Sequence, residues 1–156
     1  MLDVGCGSGR IGELVLDAGA AEYLGVDLAA EMLDLARARL ARFGERVTLV
    51  QGDFLELPTE EPFDVVLGLG LFDYLREPET FATRIGALCS GSAVASFPAW
   101  HWLKGPIRKL RYEVLSDCPI FDYTEPQIRA LFTHAGFTHV EVHAPGRAGF
   151  LMRADH

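Results

Sequence analysis

Near its start the chain reads Asp3-Val4-Gly5-Cys6-Gly7-Ser8-Gly9-Arg10, an acidic residue followed by glycines at alternate positions. Glycine is needed where a backbone takes positive φ, or where it must lie against a ligand with no Cβ in the way. A helix starting directly behind such a turn offers free N–H groups to an anionic or polar ligand. Two ligand chemistries use this strand–turn–helix plan with strict spacing. A dinucleotide calls for Gly-x-Gly-x-x-Gly, and its third glycine would fall at position 10, which is Arg10. A P-loop calls for Gly-Lys-Ser/Thr at its end, and none follows. Both fingerprints fail as written.

Gly-x-Gly-x-Gly behind an acidic residue instead resembles motif I of the class I S-adenosylmethionine-dependent methyltransferases. Three further stretches agree with that family. Asp27, 18 positions beyond Gly9, ends a short strand where an acidic side chain can take two ribose hydroxyls through charge-assisted hydrogen bonds. Gly52-Asp53-Phe54 follows the next strand, where the family places a carboxylate near the adenine amine and an apolar side chain against the ring. Phe63 to Leu75 matches the fourth strand and its loop, and Tyr123 to Phe137 resembles the last helix of many small-molecule members. The resemblance runs from Leu2 to about Arg153. It implies S-adenosyl-L-methionine as cofactor, no metal, and a binding set of Asp3, Gly5, Cys6, Gly7, Gly9, Asp27, Leu28, Asp53, Phe54 and Leu69. The implied activity is methyl transfer to a small molecule, on oxygen. The alternative is a non-catalytic or truncated cofactor-binding module that serves as a partner subunit.

A methyl sulfonium is already an activated electrophile, so in-line displacement needs mainly alignment and partial desolvation of the nucleophile. A general base is required only for an acceptor that is a poor nucleophile at neutral pH. Asp73, Tyr74 and His101 are the candidates, although each residue type serves more often in packing or on a surface. No catalytic residue is singled out. Lys104, Arg108, Lys109 and Arg111 gather four of the fourteen basic residues in one segment. They read either as a solvated face or as part of a lid over 98–123 that draws in an acidic acceptor.

These residues need elements to hold them, and the apolar periodicity supplies both kinds. Ile11, Leu14, Val15 and Ala18 follow i, i+3, i+4, i+7 and predict a helix with Gly19 at its end. Met32, Leu33, Ala36, Leu40 and Phe43 form a second stripe, closed by Gly44. Strands are expected at Met1–Val4, Tyr23–Asp27, Val47–Val50, Phe63–Leu69 and Ser92–Phe97. Pro78 to Cys89 reads as a helix with Gly91 beyond its end, and Thr124 to His134 as a helix opened by a capping box. Thr138–Ala144 and Gly149–Arg153 read as closing strands joined at Pro145-Gly146. The fold class is therefore α/β, a doubly wound (Rossmann-like), mostly parallel sheet with helices on both faces and an antiparallel closing strand. The first strand reads as cut short against the usual 5–6 residues. An open front of that kind leaves apolar surface that a second copy could bury as a homodimer.

Composition narrows the partners. The 156 residues carry 14 Lys+Arg against 22 Asp+Glu, a net charge of −8, which repels phosphate backbones and argues against nucleic acid. No apolar run is long enough for a transmembrane helix, and no signal peptide is visible. Three widely spaced cysteines make neither a disulfide framework nor a zinc site, which fits a cytoplasmic setting. The whole chain, 1–156, reads as one domain.

Overall fold

The computed structural model describes residues 1–59, 61–98, 121–144 and 149–156. Within them, seven strands form one sheet: β1 (Leu2–Val4), β2 (Tyr23–Asp27), β3 (Val47–Gln51), β4 (Phe63–Gly68), β5 (Cys89–Pro98), β6 (His139–His143) and β7 (Gly149–Asp155). Their order is β3-β2-β1-β4-β5-β7-β6. The first five run parallel, and β7 lies antiparallel to both β5 and β6. Strand order reverses at β1, so its carboxyl end opens into the crevice where sheets of this class hold ligands. Among the described residues four helices flank the sheet: α1 (Arg10–Asp17), α2 (Ala30–Leu40), α3 (Pro78–Leu88) and α4 (Glu125–His134). None of these is long and apolar enough to cross a membrane.

The alternation of side chains along the strands divides the core in two. Leu2, Val4, Val26 and Val66 face a large cluster that includes Ile85, Ile128, Phe72, Phe97 and Phe132. Tyr23, Cys6, Leu16, Leu33 and Leu40 form a smaller cluster beneath α1 and α2. In the larger one, the Phe72 ring lies 4.5 Å from Phe97 and 5.8 Å from Phe132, offset geometries that aromatic pairs favour. The predicted capping box at α4 is present: Gln127 Oε1 accepts from the Thr124 backbone N–H at 2.9 Å and from its hydroxyl at 2.8 Å.

Several local expectations are corrected. The α1 face turned to the core is carried by Gly12 and Leu16, with Val15 beside them, while Leu14 is 64% exposed. Gly12 sits so close to Tyr23 that an added Cβ would lie 2.6 Å from the ring. This close approach rolls the helix away from its apolar stripe. In α2, Leu33, Ala36 and Leu40 are buried as expected, but Met32 is 43% exposed. The stripe continues into a 3₁₀ turn, Ala41–Arg46, rather than one long helix. Gly91 lies beyond the end of α3, as expected, but does not terminate it. It lies inside β5, which starts at Cys89, and a Cβ there would meet the Asp64 carbonyl oxygen at 2.5 Å, where the β4–β5 register shifts. The Pro145-Gly146 turn, Cys118 and nearly all of the 98–123 segment, His101, Lys104, Arg108, Lys109 and Arg111 included, lie outside the described residues.

Candidate cofactor-binding site

The glycine turn leaves the carboxyl end of β1 with Gly5, Gly7 and Gly9 at φ 71°, 53° and 74°. Each position has its own spatial reason. A Cβ on Gly5 would touch Leu71 Cδ1 at 3.4 Å, so the turn packs against the loop that leaves β4. A Cβ on Gly9 would press on Ala36 and Leu40 at 3.1 Å, so Gly9 lets α1 lie close on α2. Gly7 has nothing within 4 Å of a would-be Cβ and faces open space. Space at the middle glycine is what a ligand lying along the turn requires.

The turn is fastened to the end of β2. Gly5 N–H and Cys6 N–H both donate to the Val26 carbonyl, at 2.9 and 3.1 Å. Asp27 Oδ2 accepts from Gly7 N–H at 2.8 Å and its Oδ1 from Ala29 N–H at 2.9 Å. Gly52 N–H donates to the Asp27 carbonyl at 3.1 Å, which brings the loop after β3 to the same edge. Each carboxylate oxygen accepts up to two hydrogen bonds, so Asp27 keeps acceptor capacity beyond its two amide contacts. Leu28, next in line, is 71% exposed at the mouth.

Asp53 caps the 3₁₀ turn Phe54–Glu56 by accepting from Leu55 N–H at 2.9 Å, and its side chain is exposed. Phe54 is only 3% exposed, and its ring pairs with Phe81 at 5.9 Å inside the large core. The Phe54 ring is thus committed to packing. Leu69 is half-buried in the loop after β4, where Gly70 N–H donates to Ser96 Oγ at 2.7 Å. The structure brings the turn, Asp27 and the loops bearing Leu69 and Asp53 to one edge of the sheet.

Asp3 is the one buried charged residue among those described, 3% exposed. Its Oδ2 accepts from the Tyr23 hydroxyl at 2.6 Å. Burial lifts its carboxyl from the ordinary 3.8 to about 6; the Tyr23 hydrogen bond opposes the rise and the Asp27 charge adds to it. Burial, helped by the Asp3 and Asp27 charges, pushes the Cys6 thiol up to about 12, so Cys6 stays protonated and inert. Sequence reasoning missed Tyr23. The available signal was two glycines in unfavourable places: Gly12 inside a helix, pressed against the Tyr23 ring, and Gly25 inside a strand, pressed against Cys6, Leu49 and that ring.

A second concavity of about 570 Å³ opens between the first half of α3 and the length of α4, lined by Leu75, Arg76, Phe121, Tyr123, Gln127 and His134 among others. The two helices come closest at Gly86, where a Cβ would fall 2.0 Å from the Ala135 carbonyl oxygen. The upper wall of the concavity is tied to the Phe72–Tyr74 turn: Phe121 N–H donates to the Asp73 carbonyl at 3.0 Å and Tyr123 Oη to the Phe72 carbonyl at 3.2 Å. Tyr74 is 48% exposed. Among the described residues, no group of three or more His, Cys, Asp or Glu side chains could hold a metal ion.

Comparison with known proteins agrees with this geometry. The family model described as a methyltransferase domain matches residues 1–89. A ubiquinone biosynthesis O-methyltransferase of Bordetella bronchiseptica is 34% identical over 90 residues, 56% of this chain and 37% of that protein. A probable fatty acid methyltransferase of Pseudomonas putida is 34% identical over 77 residues, 48% of this chain and 20% of that protein. The chain thus spans well under half the length of these curated relatives. Among solved structures, magnesium protoporphyrin IX methyltransferase from Synechocystis with bound SAH superposes with a TM-score of 0.78 at 18% identity, over 99% of this chain and 72% of that one. An S-adenosylmethionine-dependent methyltransferase from Mesorhizobium loti gives 0.76 at 22% identity, over 99% and 89%. With its fold, its glycine turn and the family match over more than half its length, the chain belongs to the methyltransferase domain family.

Proposed function

We propose that this chain binds S-adenosyl-L-methionine and transfers its methyl group to a small-molecule acceptor, on oxygen. The observation that carries the reading is the open space over Gly7, with the Asp27 carboxylate bonded to the Gly7 amide at its edge. In this reading Gly5, Cys6, Gly7 and Gly9 shape the backbone under the cofactor, Asp27 takes the ribose hydroxyls, and Leu28 and Leu69 flank the nucleoside. Asp53 lies on the adenine side, and Asp3 supplies a negative charge beneath the turn. Phe54 contributes by anchoring its loop, with its ring packed in the core against Phe81. The cofactor supplies the activated methyl group, so the protein's share is alignment and exclusion of water.

The concavity between α3 and α4 is the proposed acceptor side, because its wall is bonded to the turn that follows β4 and its volume suits a small organic molecule. Oxygen as the acceptor atom rests on the O-methyltransferases among the relatives. The fatty acid methyltransferase makes a carboxylate oxygen the second choice to test after a phenol. Cytoplasmic residence belongs to the same reading, supported by free, buried Cys6 and Cys89.

Calorimetric titration with S-adenosylhomocysteine tests the cofactor half, with NAD as control. Transfer of a labelled methyl group to a catechol, a simple phenol and a long-chain carboxylic acid tests the acceptor half. Absence of S-adenosylhomocysteine binding would overturn the whole reading. Tight binding without transfer to any of the three would favour the non-catalytic module.

A further inference from the structure

We infer that Tyr23 is a positioning residue of the cofactor site, whose hydroxyl holds the Asp3 carboxylate beneath the glycine turn in the orientation that meets a cationic group of the cofactor. The inference rests on the S-adenosylmethionine reading and deepens it. Four observations converge. The Tyr23 hydroxyl donates to Asp3 Oδ2 at 2.6 Å, a short bond of the kind made to an ionised acceptor. Asp3 Oδ1 takes no hydrogen bond from the described residues, which leaves it for a ligand. The tyrosine ring is 2% exposed, so its hydroxyl is held by packing rather than by solvent. Finally, room for that ring is made at Gly12, where a Cβ would come within 2.6 Å of it, and Gly25 keeps the space where the ring (3.0 Å), Cys6 Sγ and Leu49 (2.9 Å each) converge. Glycine inside a helix or a strand is intrinsically destabilising. Simple packing would be served by a phenylalanine; the hydroxyl is there for the carboxylate.

An ionised carboxylate in so buried a place is poorly tolerated unless a cation or donor faces it. The titratable groups that face Asp3 are Tyr23 and Asp27 from β2 and Cys6 from the turn, none of them cationic. From β4 the paired residue is Leu67, which is apolar. Tyr23 is therefore the protein's own support for the negative charge, and the ammonium of the cofactor is the cation that completes it. Removing the hydroxyl leaves the turn, its bonds to Val26 and Asp27, and the shape of the pocket intact, but makes the carboxylate harder to ionise.

The test is the pH profile of cofactor binding in Tyr23→Phe. S-adenosylhomocysteine, which carries the ammonium, is titrated from pH 5.5 to 9 against the parent and the variant. 5′-Methylthioadenosine, which lacks the amino-acid end, is titrated in parallel. A hydrogen bond to a charged group is worth enough to move the inflection of the S-adenosylhomocysteine profile upward by about one to two pH units. Affinity at pH 7 should then fall by roughly three- to tenfold and recover toward pH 9, with methylthioadenosine affinity unchanged. Asp3→Asn should flatten the profile, and Tyr23→Phe added to Asp3→Asn should cause no further loss. A loss that is equal at every pH, that extends equally to methylthioadenosine, or that adds fully to that of Asp3→Asn would overturn the inference. A parent protein that binds neither nucleoside would overturn the cofactor reading and this inference with it.

Discussion

Replacing Asp3 by asparagine should change how the stability of the fold depends on pH. The Asp3 carboxyl is lifted, chiefly by burial, from 3.8 to about 6, so the folded chain holds that proton more tightly than the unfolded chain does. A group of this sign favours folding fully below its unfolded value, and that contribution is lost as pH rises through the folded value. The window is therefore about pH 4 to 6. With a pH unit of difference worth about 1.4 kcal/mol, a rise of roughly two makes Asp3 cost about 3 kcal/mol at neutral pH relative to strongly acidic pH, where the group is protonated in both states. The side-chain carbonyl in Asp3→Asn could still accept from the Tyr23 hydroxyl but would carry no charge. The amide N–H₂ of the variant adds buried donors, a cost that does not vary with pH. The quantity to read is thus the difference between parent and Asp3→Asn in urea unfolding at pH 4.5 and again at pH 7. The variant should gain stability relative to the parent by about 2 kcal/mol between those two values, roughly 4–8 °C in Tm for a chain of this size. A pH-independent difference, or a parent that gains on the variant as pH rises, would refute the reasoning.

Asp27→Ala should weaken S-adenosylhomocysteine binding by about ten- to a hundredfold in calorimetry, through loss of charge-assisted hydrogen bonds to the ribose; unchanged affinity would remove Asp27 from the site. Gly7→Val and Gly9→Val should separate function from stability, since a Cβ at Gly7 meets only open space while one at Gly9 presses on Ala36 and Leu40 at 3.1 Å. Both strain a left-handed φ, so the first should fold with a loss of about 1–2 kcal/mol and fail to bind, and the second, strained and overpacked, should lose several kcal/mol by thermal melting. Gly86→Ala places its methyl 2.0 Å from the Ala135 carbonyl, so it should lower Tm by about 4 °C or more while a folded fraction still binds S-adenosylhomocysteine.

Strand positions were legible because apolar runs bounded by glycine and acidic residues have few other readings. Tyr23–Asp27 is found as expected, and Val47–Val50 extends by one residue to Gln51. The α4 start was legible because its capping box is local chemistry. The facing of α1 was not. Its pattern of Ile11, Leu14, Val15 and Ala18 counts side chains that gain from burial, whereas its orientation is set by Gly12, which has none and so allows the closest approach. Gly91 misled for a related reason. Its need for a small residue comes from Asp64, 27 positions earlier and across a strand pair, and no local pattern carries that. Asp3, Asp27 and the glycines could be picked out by spacing, and Asp27 does meet the turn through Gly7. The partner of Asp3 could not, because a tyrosine opening a strand looks like ordinary core until its ring is seen between two glycines.

The division of the core into two clusters has a consequence for how the protein breathes. Among the described residues, the smaller cluster has five buried members, all between Cys6 and Leu40, whereas the larger has eighteen drawn from residues 2 to 154. Local opening follows the least-buried apolar contacts, so α1 and α2 should come away from the sheet at lower free energy than α3 and α4. The glycine turn sits at the hinge of that weaker half, bonded to Val26 and Asp27. A molecule bound along the turn would brace the less stable lobe by mass action and leave the other nearly unaffected. Occupancy would therefore register as slower amide exchange in α1 and α2 while the α3–α4 layer kept its own rates.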